Sequence, residues 1–174
     1  MQNIGLKRGT VKLQKWSPSW RTYFERESSF LRKLLGDKVI DIQHIGSTAV
    51  EGLVAKPIID MLMGVKSLEI VKGIGTLLKQ NGYEYRANGS EDGQIFYVKG
   101  SEDNRTHYLH IVEVNSDNWD EYVLFRDYLL LNKKEKKAYN DIKRDLAEKH
   151  ADDREMYTKG KAKFVSGIIK RAKG

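Results

Sequence analysis

Between Val39 and Val65 the chain reads VIDIQHIGSTAVEGLVAKPIIDMLMGV, and this stretch holds the residue types that phosphate chemistry needs. Gly46-Ser47 is a small-residue turn that would let a phosphate chain approach the backbone. Asp60 stands alone inside the apolar run Ile58 to Val65. A carboxylate left dry and unpaired there would cost several kcal/mol, so it is expected at a solvated cleft or beside a cation. Lys56 would neutralise phosphate charge, set against the plainer reading of a surface lysine. His44, just before the turn, would contact a substrate or cap backbone groups.

Transfer of a phosphoryl or nucleotidyl group asks for carboxylates that hold Mg²⁺ and for an incoming hydroxyl aligned with phosphorus. The common arrangement sets two acids at i and i+2 of one strand, because strand side chains alternate faces. Here the position two after Asp60 is Leu62, so half of that pair is missing. The stretch RTHYLHIVE, Arg105 to Glu113, offers replacements. By alternation His107 and Glu113 share one face and Tyr108 and His110 the other, so the histidines and Glu113 meet in one site only through a bulge. The candidate catalytic set is therefore Asp60, Glu113 and His110, with Asp60 and Glu113 as the Mg²⁺ ligands. The candidate nucleotide-binding set is His44, Gly46, Ser47, Lys56 and Arg105. For Arg105 an ion pair with a nearby acid is the safer reading than an anion contact.

These residues need strands and turns to position them. Val39 to Ile45 and Ile58 to Val65 read as β-branched, buried strands. The Gly-Ser turn between them is expected to open a helix whose N-terminus faces the phosphates. Tyr83 to Ala87, Gln94 to Lys99 and Arg105 to Val114 read as three more strands, the last two as a hairpin. Ser17-Pro18 starts a helix carrying Trp20, Phe24, Leu31 and Leu34, and Gly36 ends it. Ser67 caps a helix carrying Ile70, Val71, Ile74, Leu77 and Leu78, and residues 10–15 read as a short strand or extended arm. From Ser116 onward the periodicity is helical: Trp119 to Leu130, then Tyr139 to Leu146, then Tyr157 to Ile168. The fold class is α/β (α+β): a mixed sheet flanked by helices, with a helical C-terminal part. The expected organisation is a single domain over 1–174 with a soft boundary near residue 115, dividing a sheet core (1–115) from the helical part (116–174).

The net charge of +7 lies entirely near the C-terminus: residues 133–174 hold 14 basic and 7 acidic residues, and the rest are balanced. That excess is either a solvated helical face or a surface for nucleic acid or phosphate. With no cysteine, disulfides, thiolate metal sites and cysteine nucleophiles are excluded. No apolar run reaches the ~20 residues a membrane helix needs and no signal-peptide core opens the chain, so a cytoplasmic location is expected.

HIGSTAVEGLVAKPIIDMLMGV, FYVKG (96–100), RTHYLHIVE (105–113), LFRDYLL (124–130) and the Trp-Ser-Pro-Ser-Trp start together resemble the GrpB family over nearly the whole chain. The resemblance implies a nucleotidyltransferase-like fold. It also implies a link to nucleotide metabolism, since members occur fused to dephospho-coenzyme A kinase. The family pattern usually has Pro where this chain has Glu51 and often His where it has Tyr108, while Leu62 is shared by many members. Three functions remain open: Mg²⁺-dependent nucleotidyl transfer from a nucleoside triphosphate to an unknown acceptor, a non-catalytic nucleotide- or ligand-binding module that lost the second carboxylate, and nucleic-acid association through the basic C-terminal helices.

Overall fold

The computed structural model describes residues 3–90 and 92–174. Five strands form one mixed sheet in the order β1-β2-β5-β4-β3. They are β1 (Asp41–Ile45), β2 (Ile59–Val65), β3 (Tyr83–Tyr85), β4 (Gln94–Ser101) and β5 (Asn104–Glu113). β1 runs antiparallel to β2, β2 parallel to β5, and β4 antiparallel to both β5 and β3. The helices are α1 (Ser19–Leu35), α2 (Val71–Gln80), α3 (Asp117–Leu131), α4 (Lys133–Lys149) and α5 (Arg154–Lys173). Among the described residues no helix is long and apolar enough to cross a membrane.

The parallel pairing of β2 and β5 decides which side chains meet. Asp60, Leu62 and Gly64 register with Tyr108, His110 and Val112, and all six point to one face. On that face Leu62, Ile45 and Val112 pack against Trp119, Tyr122 and Val123 of α3. The helix can come so close because residue 64 is glycine: a Cβ there would lie 2.3 Å from Val114 Cγ2 and 2.7 Å from Trp119 Cζ3. The other face carries Met61, Met63, Val65, Leu109 and Ile111, which bury against Trp20, Leu31 and Leu35 of α1 and Ile74 and Leu78 of α2. A third cluster joins Val50 and Leu53 to Leu129, Tyr139 and Ile168 of the C-terminal helices. The helical part thus lies over one end of the sheet.

Local signals account for most element ends. The Ser116 side chain accepts from Trp119 N at 3.2 Å and starts α3, as an N-cap should. Gly36 follows α1 with φ +59°, a conformation glycine adopts without strain. Several expected boundaries shift. β1 begins at Asp41, leaving Ile40 half exposed, and β3 ends at Tyr85. Ser67 caps a 3₁₀ turn, Leu68–Ile70, that leads into α2. Residues 10–15 form no ladder; Gln14 makes an isolated bridge to Ala55. The expected helix after Gly46-Ser47 reduces to one 3₁₀ turn, Ser47–Ala49, so no helix N-terminus faces Asp60 from that side.

Candidate functional site

Asp60 lies near the start of β2, flanked in the sheet by Ile45 and Tyr108. The Gly46 turn closes over its carboxylate. Gly46 has φ +68°, and a Cβ there would sit 2.6 Å from Asp60 Oδ2, so only glycine allows this approach. Trp16 Nε1 donates to Thr48 O at 3.1 Å, and His44 Nε2 lies 3.0 Å from Thr48 Oγ1, which holds the turn from outside.

The opposite wall comes from the C-terminal helices. Lys143 of α4, only 1% exposed, donates to Ser47 Oγ at 3.1 Å and to Val54 O. The Tyr139 hydroxyl also lies beside Ser47. Asn140 fixes the loop before β2: its Oδ1 accepts from Val54 N at 2.8 Å and its Nδ2 donates to Gly52 O at 2.9 Å. From α5, Lys161 Nζ stands 4.4 Å from the centre of the Tyr157 ring, and Lys56 reaches the same ring at 5.4 Å. The Arg154 guanidinium lies 5.1 Å from the Tyr108 ring, and Lys143 Nζ is 4.5 Å from that of Tyr139. Each cation is thus held against an aromatic face, which attracts it.

Three basic side chains, Lys56, Lys161 and Arg154, therefore act on one carboxylate, with the buried Lys143 beside Ser47. Among the described residues Asp60 closes no direct ion pair with any of them; Lys56, Lys161 and Arg154 act on it through space. Burial pushes the Asp60 carboxyl above its ordinary range, and those three cations pull against it. Burial, then Arg154 and Lys161, hold the Lys56 ammonium well below its usual value. Lys143 is brought down to about 6, first by burial and then by Lys161 and Arg144. Lys161 falls to about 8 through burial, with Asp60 restoring part of the loss. Burial raises the Tyr139 and Tyr157 hydroxyls. Desolvated cations with free donors attract an anion far more strongly than the same groups on an open surface.

The structure brings Gly46, Ser47, Lys56 and Asp60 together and leaves the remaining expected residues elsewhere. His44 registers with Met61, so it points to the opposite face of the sheet, where its ring stacks on Phe24 at 4.7 Å. Burial and the nearby Arg126 hold that imidazole at about 3, neutral at ordinary pH. Glu113 is level with Val65, at the far end of β2 and on the face away from Asp60, and its Oε1 accepts from Leu68 N at 3.0 Å. His110 shares the Asp60 face but is level with Leu62, packed between Phe96 and Tyr122, with Nδ1 3.1 Å from the Tyr122 hydroxyl. Burial holds it at about 4. Arg105 is 3% exposed and paired with Glu84 at 3.0 Å. With Glu113 and His110 engaged elsewhere, the donor set at Asp60 is one carboxylate among three cations. Three cations beside a single carboxylate oppose a divalent metal ion, so in the unliganded protein this set does not fit Mg²⁺. Among the described residues no group of three or more histidines or acids stands together.

The helical contributors, Tyr139, Lys143, Arg154, Tyr157 and Lys161, lie outside the residues that sequence reasoning selected. A signal existed. Lys143 interrupts the stripe Tyr139–Ile142–Leu146, and Lys161 sits between Tyr157 and Phe164 at helical spacing, each a charge on an apolar face. Other lysines of the basic C-terminus are ordinary surface groups: Lys137, Lys149 and Lys159 pair with Asp141, Asp145 and Glu155 at 2.7, 2.8 and 2.6 Å.

The sequence model of the GrpB protein family matches residues 10–171. The glutamate-rich protein GrpB of Alkalihalophilus pseudofirmus is 41% identical over 170 residues, covering 95% of this chain and 98% of that protein. The crystal structure of the conserved protein GrpB from Enterococcus faecalis superimposes with a TM-score of 0.86 at 33% identity, over 92% of this chain and 96% of that one. A structure of the Cid1 poly(U) polymerase with MgGTP bound aligns with a TM-score of 0.52 at 17% identity, over 77% of this chain and 44% of the polymerase chain. That likeness concerns the fold alone, and it shows a nucleotidyltransferase-like sheet and helices here. Matched from end to end in sequence and in structure, the chain belongs to the GrpB family.

Proposed function

We propose that the cleft between the Gly46-Ser47 turn and helices α4 and α5 binds the phosphate chain of a nucleoside triphosphate. The observation that carries this reading is the unclosed cluster of Lys56, Arg154 and Lys161 around the single carboxylate of Asp60, with Lys143 beside Ser47 in the adjoining wall. A polyanion would bridge these cations and restore their lost solvation. The likeness of the fold to Cid1, whose structure holds MgGTP, supports a nucleotide over other polyanions. The donors at Asp60 do not fit Mg²⁺, so the phosphate chain is held by the basic side chains themselves. The chain then acts first as a nucleotide-binding module.

Calorimetry with ATP, GTP, CTP and UTP, each with and without Mg²⁺, tests this. Binding is expected without Mg²⁺, and Asp60→Asn is expected to tighten it several-fold by removing a negative charge that repels phosphate. Absence of binding to all four, or loss of Mg²⁺-free binding in Asp60→Asn, would overturn the reading.

The position of Asp60 against the turn favours a second reading, nucleotidyl transfer. An acceptor hydroxyl would attack the α-phosphorus. Its O–P bond forms as the P–O bond to pyrophosphate breaks, pyrophosphate leaves, and the hydroxyl proton passes to Asp60, whose raised basicity suits a general base. This reading requires pyrophosphate release that Asp60→Asn abolishes. Binding without release in the presence of small hydroxyl acceptors or RNA leaves the module as the function. The paired surface lysines of α4 and α5 give no comparable support to a nucleic-acid face.

A further inference from the structure

Beyond Arg154 and Tyr108 the sheet face continues into a second cavity of about 370 Å³ between β4, β5, the β3–β4 connection and the N-terminal arm. It is lined by Arg8, Arg86, Arg105 and Arg154 with Phe96 and Tyr108 among its walls. Two carboxylates oppose the four guanidinium groups. Glu102 pairs with Arg8 at 2.6 Å and with Arg86 at 3.3 Å, and Glu84 pairs with Arg86 at 3.2 Å and Arg105 at 3.0 Å. The cavity is left positive, and Arg154 is the cation without a carboxylate among these pairs. Its Nη2 is buried and has no hydrogen-bond partner among the described residues. A buried guanidinium donor left unmatched is costly and calls for an acceptor.

The walls specify that acceptor. Guanidinium forks suit the two oxygens of a phosphate. Phe96 meets Tyr108 edge-on at 5.3 Å, which makes an aromatic side to the cavity where a base can stack. The volume lies near the lower end for small-molecule sites and suits one nucleotide unit rather than a chain. We infer that this cavity is a second ligand site, taking a nucleoside monophosphate or a molecule ending in one, with its phosphate on Arg86 and Arg154 and its base against Phe96. Arg154 and Tyr108 belong to both sites, so the occupant lies beside whatever fills the Asp60 cleft, as a second substrate or an effector would. The inference stands on the arginine pocket itself and does not require that the first cleft take a triphosphate.

The test is calorimetry on the full chain with AMP, GMP, CMP and UMP, with ribose 5-phosphate and inorganic phosphate as baseless probes. At least one monophosphate should bind with one site per chain and more tightly than the baseless probes. Arg86→Gln and Arg8→Gln should each weaken it about tenfold or more, and Phe96→Leu should remove the preference over ribose 5-phosphate. Lys143→Met should leave it within about twofold; the same variant decides the fate of the triphosphate cleft separately. Arg8 is exposed, so its replacement keeps the test sound if Arg86→Gln fails to fold, as thermal melting would report. Failure of all four monophosphates to bind, equal binding of inorganic phosphate, or indifference to Arg8→Gln and Arg86→Gln would overturn the inference.

Discussion

Lys143→Met should make the protein more stable and its triphosphate binding weaker. The ammonium is buried against Tyr139 and held at about 6 rather than its ordinary 10.5. In the unfolded chain it keeps the ordinary value, so between these limits unfolding takes up a proton and stability rises with pH. A tenfold loss of proton affinity on folding corresponds to about 1.36 kcal/mol. Below pH ~6 the buried lysine therefore costs folding on the order of 6 kcal/mol, and near pH 9 on the order of 2 kcal/mol. Methionine has a similar shape and carries no such cost. It also strands the Ser47 hydroxyl and the Val54 carbonyl, which takes back about 1–3 kcal/mol. The variant should thus exceed the wild type by a few kcal/mol near pH 6.5, and the two should converge by about pH 9. Urea unfolding at four or five pH values between these limits measures the difference directly. Lys56 and Lys161 also carry lowered values, but they are common to both proteins and largely cancel. A variant less stable than wild type at pH 6.5, or a difference that does not change with pH, would refute the reasoning. The same variant should lose triphosphate affinity by about tenfold or more, since buried function and stability pull in opposite directions.

Gly46→Ala places a side chain at φ +68°, and its Cβ would contact Asp60 Oδ2 at 2.6 Å. About 2–4 kcal/mol of stability should be lost in urea unfolding, and a loss under about 1 kcal/mol would contradict the close approach. Gly64→Ala puts a methyl into Val114 and Trp119, so α3 should lift, with a changed tryptophan emission and a loss of about 1–3 kcal/mol; unchanged emission and midpoint would count against the packing. His107 is 7% exposed, its Nε2 has no partner among the described residues, and burial holds it at about 4 against an ordinary 6.5. A depressed histidine withdraws stability as pH falls from 6.5 toward 4, so His107→Phe should recover about 3 kcal/mol at pH 4 and move the acid-unfolding midpoint down. An unmoved or higher midpoint would rule this out.

The strand half of the site was legible because strands punish anomalies. One acid in the run Ile58–Val65 had to face a cleft, and period-two alternation correctly separated Glu113 from His110. What alternation could not supply was the parallel register that sets Tyr108, and not Glu113, opposite Asp60. The expected helix after Gly46-Ser47 failed for a related reason. Residues 51–54 give their backbone groups to Lys136, Asn140 and Lys143, partners 85 to 89 positions away. The helix faces hid the cations because a lysine on a helix is usually solvated. Lys143 and Lys161 break apolar stripes as Asp60 breaks an apolar strand, and the same rule applied to α4 and α5 would have selected them.

The cation cluster also gives Leu62 a physical meaning. Two carboxylates at positions 60 and 62 would hold a metal, and a metal would be repelled by Lys56, Arg154 and Lys161 gathered at the same place. With the helices supplying positive charge, a second acid has no ion to bind, and Leu62 is free to be wholly buried against Ile45 and Val112. The acid that remains has a different task. Before a polyanion binds, Asp60 reduces the mutual repulsion of cations that burial already disfavours, as its upward pull on Lys56 and Lys161 shows. In the proposed complex the phosphates would take over that role, and the carboxylate would become a repulsive neighbour. Asp60→Asn should therefore raise the stability of the ligand-free protein, because burial outweighs the pull of the cations on its carboxyl, and should also raise its affinity for a triphosphate. A metal-holding aspartate would lose affinity on the same change, so the two signs, measured together by unfolding and calorimetry, distinguish a charge balancer from a metal ligand.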